Sequence, residues 1–149
     1  MNDQRDSKYC NCLYYSANAL ARVLTRLAEE EFAPTGLAPS LAFLLMAVNG
    51  KPGIQPMEIA RHMQLAPSTV TRSIEQLEHR GYLRREHEGR TTRVHPTTRS
   101  LALDAQIKTC WRSLYARYSD VIGETAGREL TTHIYDAARQ LDAEPVPIP

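Results

Sequence analysis

The stretch from Leu65 to Thr97 constrains this chain most, because its pattern switches once from helical to extended spacing around a single glycine. Ala66-Pro67-Ser68 opens a helix: proline is tolerated in a first turn, where its missing N–H has no partner to lose, and neighbouring hydroxyls satisfy free N–H groups. Val70, Ile74 and Leu77 then recur at i, i+4 and i+7, one apolar stripe turned to a core. The opposite face carries Ser68, Thr71, Arg72 and Glu75, with Thr69 and Gln76 alongside. Gly81 ends the helix. Tyr82 to His87 and Thr91 to His95 are extended in character, with Glu88-Gly89-Arg90 between them. Gly89 takes positive φ without steric cost, so the two segments fold back as a hairpin with Arg90 near its tip.

A polar helix face is, taken alone, more often a solvated face than a binding surface. The hairpin changes the weighing. Short hydroxyls and one long cation on a helix suit phosphate oxygens and base edges in a major groove, where Arg grips guanine through two hydrogen bonds. An Arg at a hairpin tip suits a narrow minor groove, where the phosphate potential is most negative. The residues predicted to meet a duplex are Ser68, Thr69, Thr71, Arg72 and Gln76 on the helix, Arg85, Thr92 and Arg93 on the strands, and Arg90 at the tip. Charge distribution agrees. The whole chain carries only +1, yet the segment from Arg61 to Arg99 holds eight arginines against four glutamates, leaving the remainder acidic.

These residues resemble the multiple antibiotic resistance regulator (MarR) family of winged-helix transcription factors. The resemblance is carried by Ser68-Thr69-Val70-Thr71-Arg72, by Leu77-Glu78-His79-Arg80-Gly81-Tyr82-Leu83, and by Arg85, Glu88-Gly89-Arg90 and Thr97. In that family a Ser/Thr-rich recognition helix precedes a Leu-x-x-x-Gly-hydrophobic step into the wing, whose tip carries Asp-x-Arg. Here Glu88 replaces the Asp, keeping a carboxylate able to orient Arg90, and Pro96 stands where a Leu normally precedes the Thr. The resemblance implies a mostly α fold with a small β-hairpin wing, a winged helix-turn-helix with long N- and C-terminal dimerisation helices.

The remaining segments follow the same order. Tyr9 to Glu31 reads as one helix, with Leu13, Ala17, Leu20, Leu24 and Leu27 forming a seam. Leu37 to Val48, starting near Pro39-Ser40, is apolar nearly all round and therefore buried. Asn49 to Gly53 is a turn cluster, and Ile54-Gln55 adds a short strand beside the hairpin. Pro56 to Met63 is a short helix, with Ile59 and Met63 inward and Glu58, Arg61 and His62 outward, bracing the helix that follows; Arg61 is a candidate phosphate contact or a solvated surface residue. Thr97 to about Ile122 is a long helix with a seam of Leu103, Ile107, Cys110, Leu114 and Val121. Gly123 interrupts it, and Glu124 to about Leu141 carries Leu130, Ile134, Ala137 and Leu141. The proline-rich tail, Ala143 to Pro149, reads as loose.

The 149 residues are expected to make one domain, with residues 37–99 as the DNA-binding lobe and residues 9–31 and 100–142 as dimerisation helices. The terminal helices offer more apolar surface than one small head covers, which predicts a homodimer whose heads face half-sites ~34–36 Å apart on a palindromic operator in double-stranded DNA. No targeting segment is visible, and the longest strongly apolar run, Leu41 to Val48, falls short of the ~20 residues of a membrane span, so a cytoplasmic protein without membrane partners is expected.

For the signal, several readings stand side by side. Cys10 and Cys12 lie at the start of the first helix with Tyr9, Tyr14 and Tyr15 close by, and peroxide-sensing members of the family carry a reactive Cys in a comparable place. Thiols near a helix N-terminus are often more reactive, so oxidation or soft-metal capture, with Cys110 joining across a dimer, is one reading. The other is that Cys110 is a core residue and the remaining two are incidental. A small aromatic ligand is the family's other inducer, although Trp111, Tyr115 and Tyr118 read as packing residues. His62, His79, His87, His95 and His133 show no metal-ligand spacing, and no cofactor is expected. Two rivals come from other classes: a thiol-dependent enzyme, against which stands the lack of a nucleophile motif, and a winged helix used only for protein contacts.

Overall fold

The computed structural model describes residues 8–143. The elements are α1 (Leu13–Phe32), a 3-10 turn (Ala33–Thr35), α2 (Pro39–Gly50), α3 (Pro56–Met63), α4 (Pro67–His79), β1 (Leu83–Glu88), β2 (Thr91–Pro96), α5 (Thr98–Ile122) and α6 (Glu124–Ala143). This is the mostly helical, hairpin-bearing fold that the sequence predicts. The proline-rich tail beyond Ala143 and the polar N-terminus before Lys8 lie outside the described residues. The chain divides into two compact units, Met1–Trp111 and Arg112–Pro149.

In the first unit α2 supplies the centre. Leu41, Ala42, Leu44, Leu45 and Val48 are all buried, as an all-round apolar helix requires. Phe32 of α1, Ile59 of α3 and Val70, Ile74 and Leu77 of α4 are buried as well. Ile107 and Cys110 close the core from the first part of α5. Leu83 and Val94 bury the base of the hairpin, and Ile54 bridges Val94 as the short third segment, with Gly53 N–H donating to Val94 O at 2.8 Å and Val94 N–H to Ile54 O at 3.0 Å. Asn49 ties α2 to α5: Ser100 Oγ donates to Asn49 Oδ1 at 2.7 Å, and Asn49 Nδ2 donates to Asp104 Oδ1 at 3.0 Å.

Two boundaries and one seam differ from the sequence reading. Helix α1 starts at Leu13, not Tyr9: Cys12 is extended at φ −94°, ψ 118°, its N–H closes a turn onto Tyr9 O at 2.9 Å, and Ser16 Oγ donates back to Cys10 O at 3.1 Å. Cys10 and Cys12 therefore precede the helix. Helix α1 also runs on through Phe32 into the 3-10 turn, which stops at Gly36 with φ 70°. On α5 the expected seam is half-covered at Leu103 and closed at Ile107 and Cys110, but Val121, on the same face, is 84 % exposed.

The second unit holds the end of α5 and all of α6, joined at Gly123 with φ 90°. Gly127 is buried against Tyr118 and Ile122, with a Cβ position 3.5 Å from Ile122 Cδ1. Tyr115 OH and the Glu124 carboxylate both meet Arg128. Leu130, Ile134 and Leu141 stay exposed along one stripe of α6.

Candidate nucleic-acid interface

Helices α3 and α4 form a helix-turn-helix. Gln64 leaves α3 in the left-handed region at φ 52°, ψ 45°, Leu65 N–H closes onto Ala60 O at 3.0 Å, and Ala66 is held extended by the proline that follows. Pro67 then starts α4 with no side-chain cap and no acidic residue in the first turn, so the positive end of the helix dipole is left open to an anion. Val70, Ile74 and Leu77 anchor the inner face. Ser68, Thr71, Arg72, Glu75 and Gln76 are exposed on the outer face, with Thr69 partly covered. Thr71 Oγ1 donates to Pro67 O at 3.0 Å, which leaves its lone pairs outward.

The helix ends in a Schellman-type cap, with Gly81 at φ 81°, Gly81 N–H on Glu78 O at 3.0 Å and Tyr82 N–H on Leu77 O at 2.9 Å. This cap turns the chain into the wing. Strands β1 and β2 pair antiparallel from Leu83↔Pro96 to Glu88↔Thr91, leaving Gly89 and Arg90 as a two-residue loop. Gly89 takes φ 61° at the first loop position, the arrangement of a type II′ turn. Pro96 closes the ladder, and Thr97 caps α5, with Leu101 N–H on its carbonyl at 3.1 Å and Ser100 N–H on its hydroxyl at 3.4 Å.

The arginines of this head fall into two groups. Arg80 Nη2 donates to Gly36 O at 3.0 Å, Arg99 Nη1 donates to Arg80 O at 2.6 Å, and both guanidinium groups lie over the buried Tyr82 ring. Arg84 pairs with Glu86, whose other oxygen sits 3.2 Å from His95 Nε2. Arg93 Nε donates to Glu88 Oε2 at 3.2 Å and its Nη1 to Gly53 O at 3.2 Å. Arg85 donates to Glu78 three times: backbone N–H to Oε2 at 3.1 Å, Nε to Oε2 at 3.2 Å and Nη2 to Oε1 at 2.9 Å. The hydrogen bonds from Arg85 hold the Glu78 carboxyl below its ordinary range, against a smaller opposing effect of burial, and Glu78 in turn raises Arg85. By contrast, Arg61 on α3, Arg72 on α4 and Arg90 at the wing tip are exposed and make no side-chain hydrogen bond or ion pair with the described residues.

Of the residues picked from sequence, Ser68, Thr69, Thr71, Arg72 and Gln76 thus share one helix, and Arg90 crowns the loop beside it. Arg85 and Arg93 are instead engaged inside the free protein, and Thr92 Oγ1 lies 3.2 Å from His87 Nδ1. Glu88 does not orient Arg90; its carboxylate meets Arg93, which lies diagonally across the ladder, two residues beyond Thr91, the register partner of Glu88. Sequence reasoning missed the Glu78–Arg85 pairing. Its partners sit on either side of the helix end, where neither the helical nor the strand period relates them.

Among the described residues, no group of His, Cys, Asp and Glu is arranged to hold a metal ion. Cys10 and Cys12 are exposed and Cys110 is buried, all three as free thiols. Burial pushes the Cys110 thiol up, with the Glu31 charge adding to the effect. No single described helix is long and apolar enough to cross a membrane.

The MarR family model matches residues 35–93, which run from the end of the 3-10 turn through the third residue of β2. No curated protein matches the chain by sequence. Solved structures share the fold across most of the chain. The M. tuberculosis transcriptional regulator MosR is 20 % identical, with a TM-score of 0.76 over 89 % of this chain and 98 % of that one. S. aureus MepR, solved in complex with DNA, is 14 % identical with a TM-score of 0.75 over 87 % and 97 %. CouR from Rhodococcus jostii RHA1, bound to p-coumaroyl-CoA, is 18 % identical with a TM-score of 0.73 over 93 % and 96 %. The family match falls on the helix-turn-helix and wing, and the same fold continues into the flanking helices: residues 35–93 are similar to the MarR family, and the fold over most of the chain is that of solved transcriptional regulators such as MosR.

Proposed function

We propose that this chain is a repressor that binds a palindromic operator in double-stranded DNA as a homodimer, one reading head to each half-site. One observation carries the reading: within a head whose other arginines are paired, Arg61, Arg72 and Arg90 stand exposed without a described partner, one on each of three successive elements. Helix α4 enters the major groove with Ser68, Thr69, Thr71, Arg72 and Gln76, the wing brings Arg90 to the adjacent minor groove, and Arg61 reaches the backbone. The MepR–DNA complex, similar in fold, supports duplex DNA as the partner.

The test is binding to duplexes selected by the protein from a random library, across a range of salt. Arg72→Ala relaxes base preference at one position of each half-site. Arg90→Ala weakens binding across sequences and makes the salt slope shallower by about one per head. Parent-like binding by both variants sinks the assignment of this surface. Salt-independent, negligible binding by the parent would favour a winged helix used for protein contacts.

The signal proposed is oxidation at Cys10 or Cys12. Both thiols are exposed in a turn whose end, Cys12, caps α1, so their chemistry bears directly on the start of a helix assigned here to the dimer. Peroxide should release the operator from the parent and from Cys110→Ser, while Cys10→Ser or Cys12→Ser holds on. Unchanged retention in all four proteins favours a small aromatic effector, for which the p-coumaroyl-CoA complex of the similarly folded CouR is the supporting observation.

A further inference from the structure

We propose that Glu78 is a positioning residue for DNA binding: by gripping Arg85 it sets the direction of the wing, and with it the place of Arg90, relative to helix α4. The inference rests on the DNA-binding reading above and adds the device that makes helix and wing one surface. Glu78 lies in the last turn of α4 and Arg85 is the third residue of β1. Between them the chain turns at Gly81 with φ 81°, a conformation glycine adopts without strain, and the two backbone hydrogen bonds of the cap end at Tyr82, before β1 begins. Both oxygens of the Glu78 carboxylate are occupied by Arg85, and one of the three donors is the β1 backbone N–H itself. The grip therefore reaches the strand and not only a flexible side chain. Glu75, one turn earlier on α4, adds a second carboxylate 3.9 Å from Arg85 Nη1.

The geometry of a lever explains why this matters at the tip. Arg90 is five residues beyond Arg85, and at ~3.4 Å per residue a tilt of about 10° at the base carries the tip about 3 Å. That is a full hydrogen-bond length, enough to take a guanidinium out of reach of a groove it was meant to enter. The two buried hairpin residues, Leu83 and Val94, hold the base down on the core. A polar, directional pairing sets the angle about that base. Arg85 also sits within the basic segment, and a direct contact with phosphate is the competing role for it. The two roles separate cleanly, because lysine keeps the charge of arginine but cannot grip both oxygens of a carboxylate.

The experiment is a double-mutant cycle on a duplex selected by the parent protein from a random library, with affinity and salt slope as readouts and far-UV circular dichroism and thermal unfolding as checks of the fold. Arg90→Ala should weaken binding about tenfold and make the salt slope shallower by about one per head. Glu78→Ala should do the same although it removes a negative charge, and the Glu78→Ala, Arg90→Ala double variant should be no weaker than either single one. Arg85→Lys, the gentler replacement if Glu78→Ala melts, should match Glu78→Ala. Parent-like binding by Arg85→Lys, tighter binding by Glu78→Ala, or full additivity of Glu78→Ala and Arg90→Ala overturns the positioning role while leaving the DNA-binding reading in place. A parent protein that selects no duplex overturns both.

Discussion

Glu78 serves Arg85 through its charge, so the pairing depends on pH. Its folded-state value lies below the ordinary carboxylate range, with Arg85 hydrogen bonding as the largest cause. A carboxyl depressed on folding contributes stability that is present above its unfolded value and is lost as pH falls through the folded one. The contribution is thus complete at neutral pH and fades in acid, below about 4.3. Urea unfolding of the parent and of Glu78→Ala should therefore differ by a constant amount between neutral pH and the mid-range, and the two midpoints should converge as pH drops below the carboxylate range. A gap independent of pH down to acid would mean that Glu78 acts through packing rather than charge. The same sorting explains why the basic excess of the head is a blunt guide: Arg80, Arg84, Arg85, Arg93 and Arg99 have carbonyl or carboxylate partners inside the protein. Only neighbours in space separate these from Arg61, Arg72 and Arg90, and sequence spacing does not supply them.

Elements were far more legible than pairings, for reasons visible in particular residues. Pro39, Pro56 and Pro67 each stand at the first position of a helix, where the ring both fixes the backbone and removes an N–H that had no partner, so α2, α3 and α4 begin where the sequence says. Gly81 and Gly89 mark the two turns of the head because each adopts positive φ. Helix α1 lacks such a mark. Its N-cap is Cys12, which makes no side-chain cap, and the apolar seam that begins at Leu13 gives no reason to exclude the four residues before it. The hydrogen bond from Ser16 Oγ back to Cys10 O holds the turn out of the helix, an interaction that helical periodicity does not encode. This boundary carries functional weight. In a regular helix residues i and i+2 point apart, whereas in the turn Cys10 and Cys12 are both exposed to the same solvent. The redox test argued above is accordingly a test of the turn as a unit: either substitution, at 10 or at 12, should blunt the response.

Among the described residues, several large aliphatic side chains stay uncovered. Val121 is 84 % exposed, Leu141 64 %, Leu13 68 % and Ile134 48 %, and on α6 Leu130, Ile134 and Leu141 lie along one helical stripe. A large aliphatic side chain left in water forgoes about 1.5–3 kcal/mol relative to full burial, and such residues aligned on a helix mark a face built to meet another surface. A second copy of the chain presents a matching stripe by symmetry, which is why the proposed repressor is a homodimer. Placing charge there, as Leu130→Asp with Ile134→Asp, leaves the core of the head untouched, since the buried apolar residues of that core lie on α1 to α5 and the hairpin. The double variant should elute and scatter light as a monomer while retaining the helical circular dichroism of the parent. Its DNA binding should fall to that of a single head on a single half-site, with the slope of log affinity against log salt roughly halved, because each head releases its own counterions. If the variant remains dimeric, the α6 stripe is not the interface. If it becomes monomeric yet keeps the parent's affinity and slope, the two heads do not share one operator.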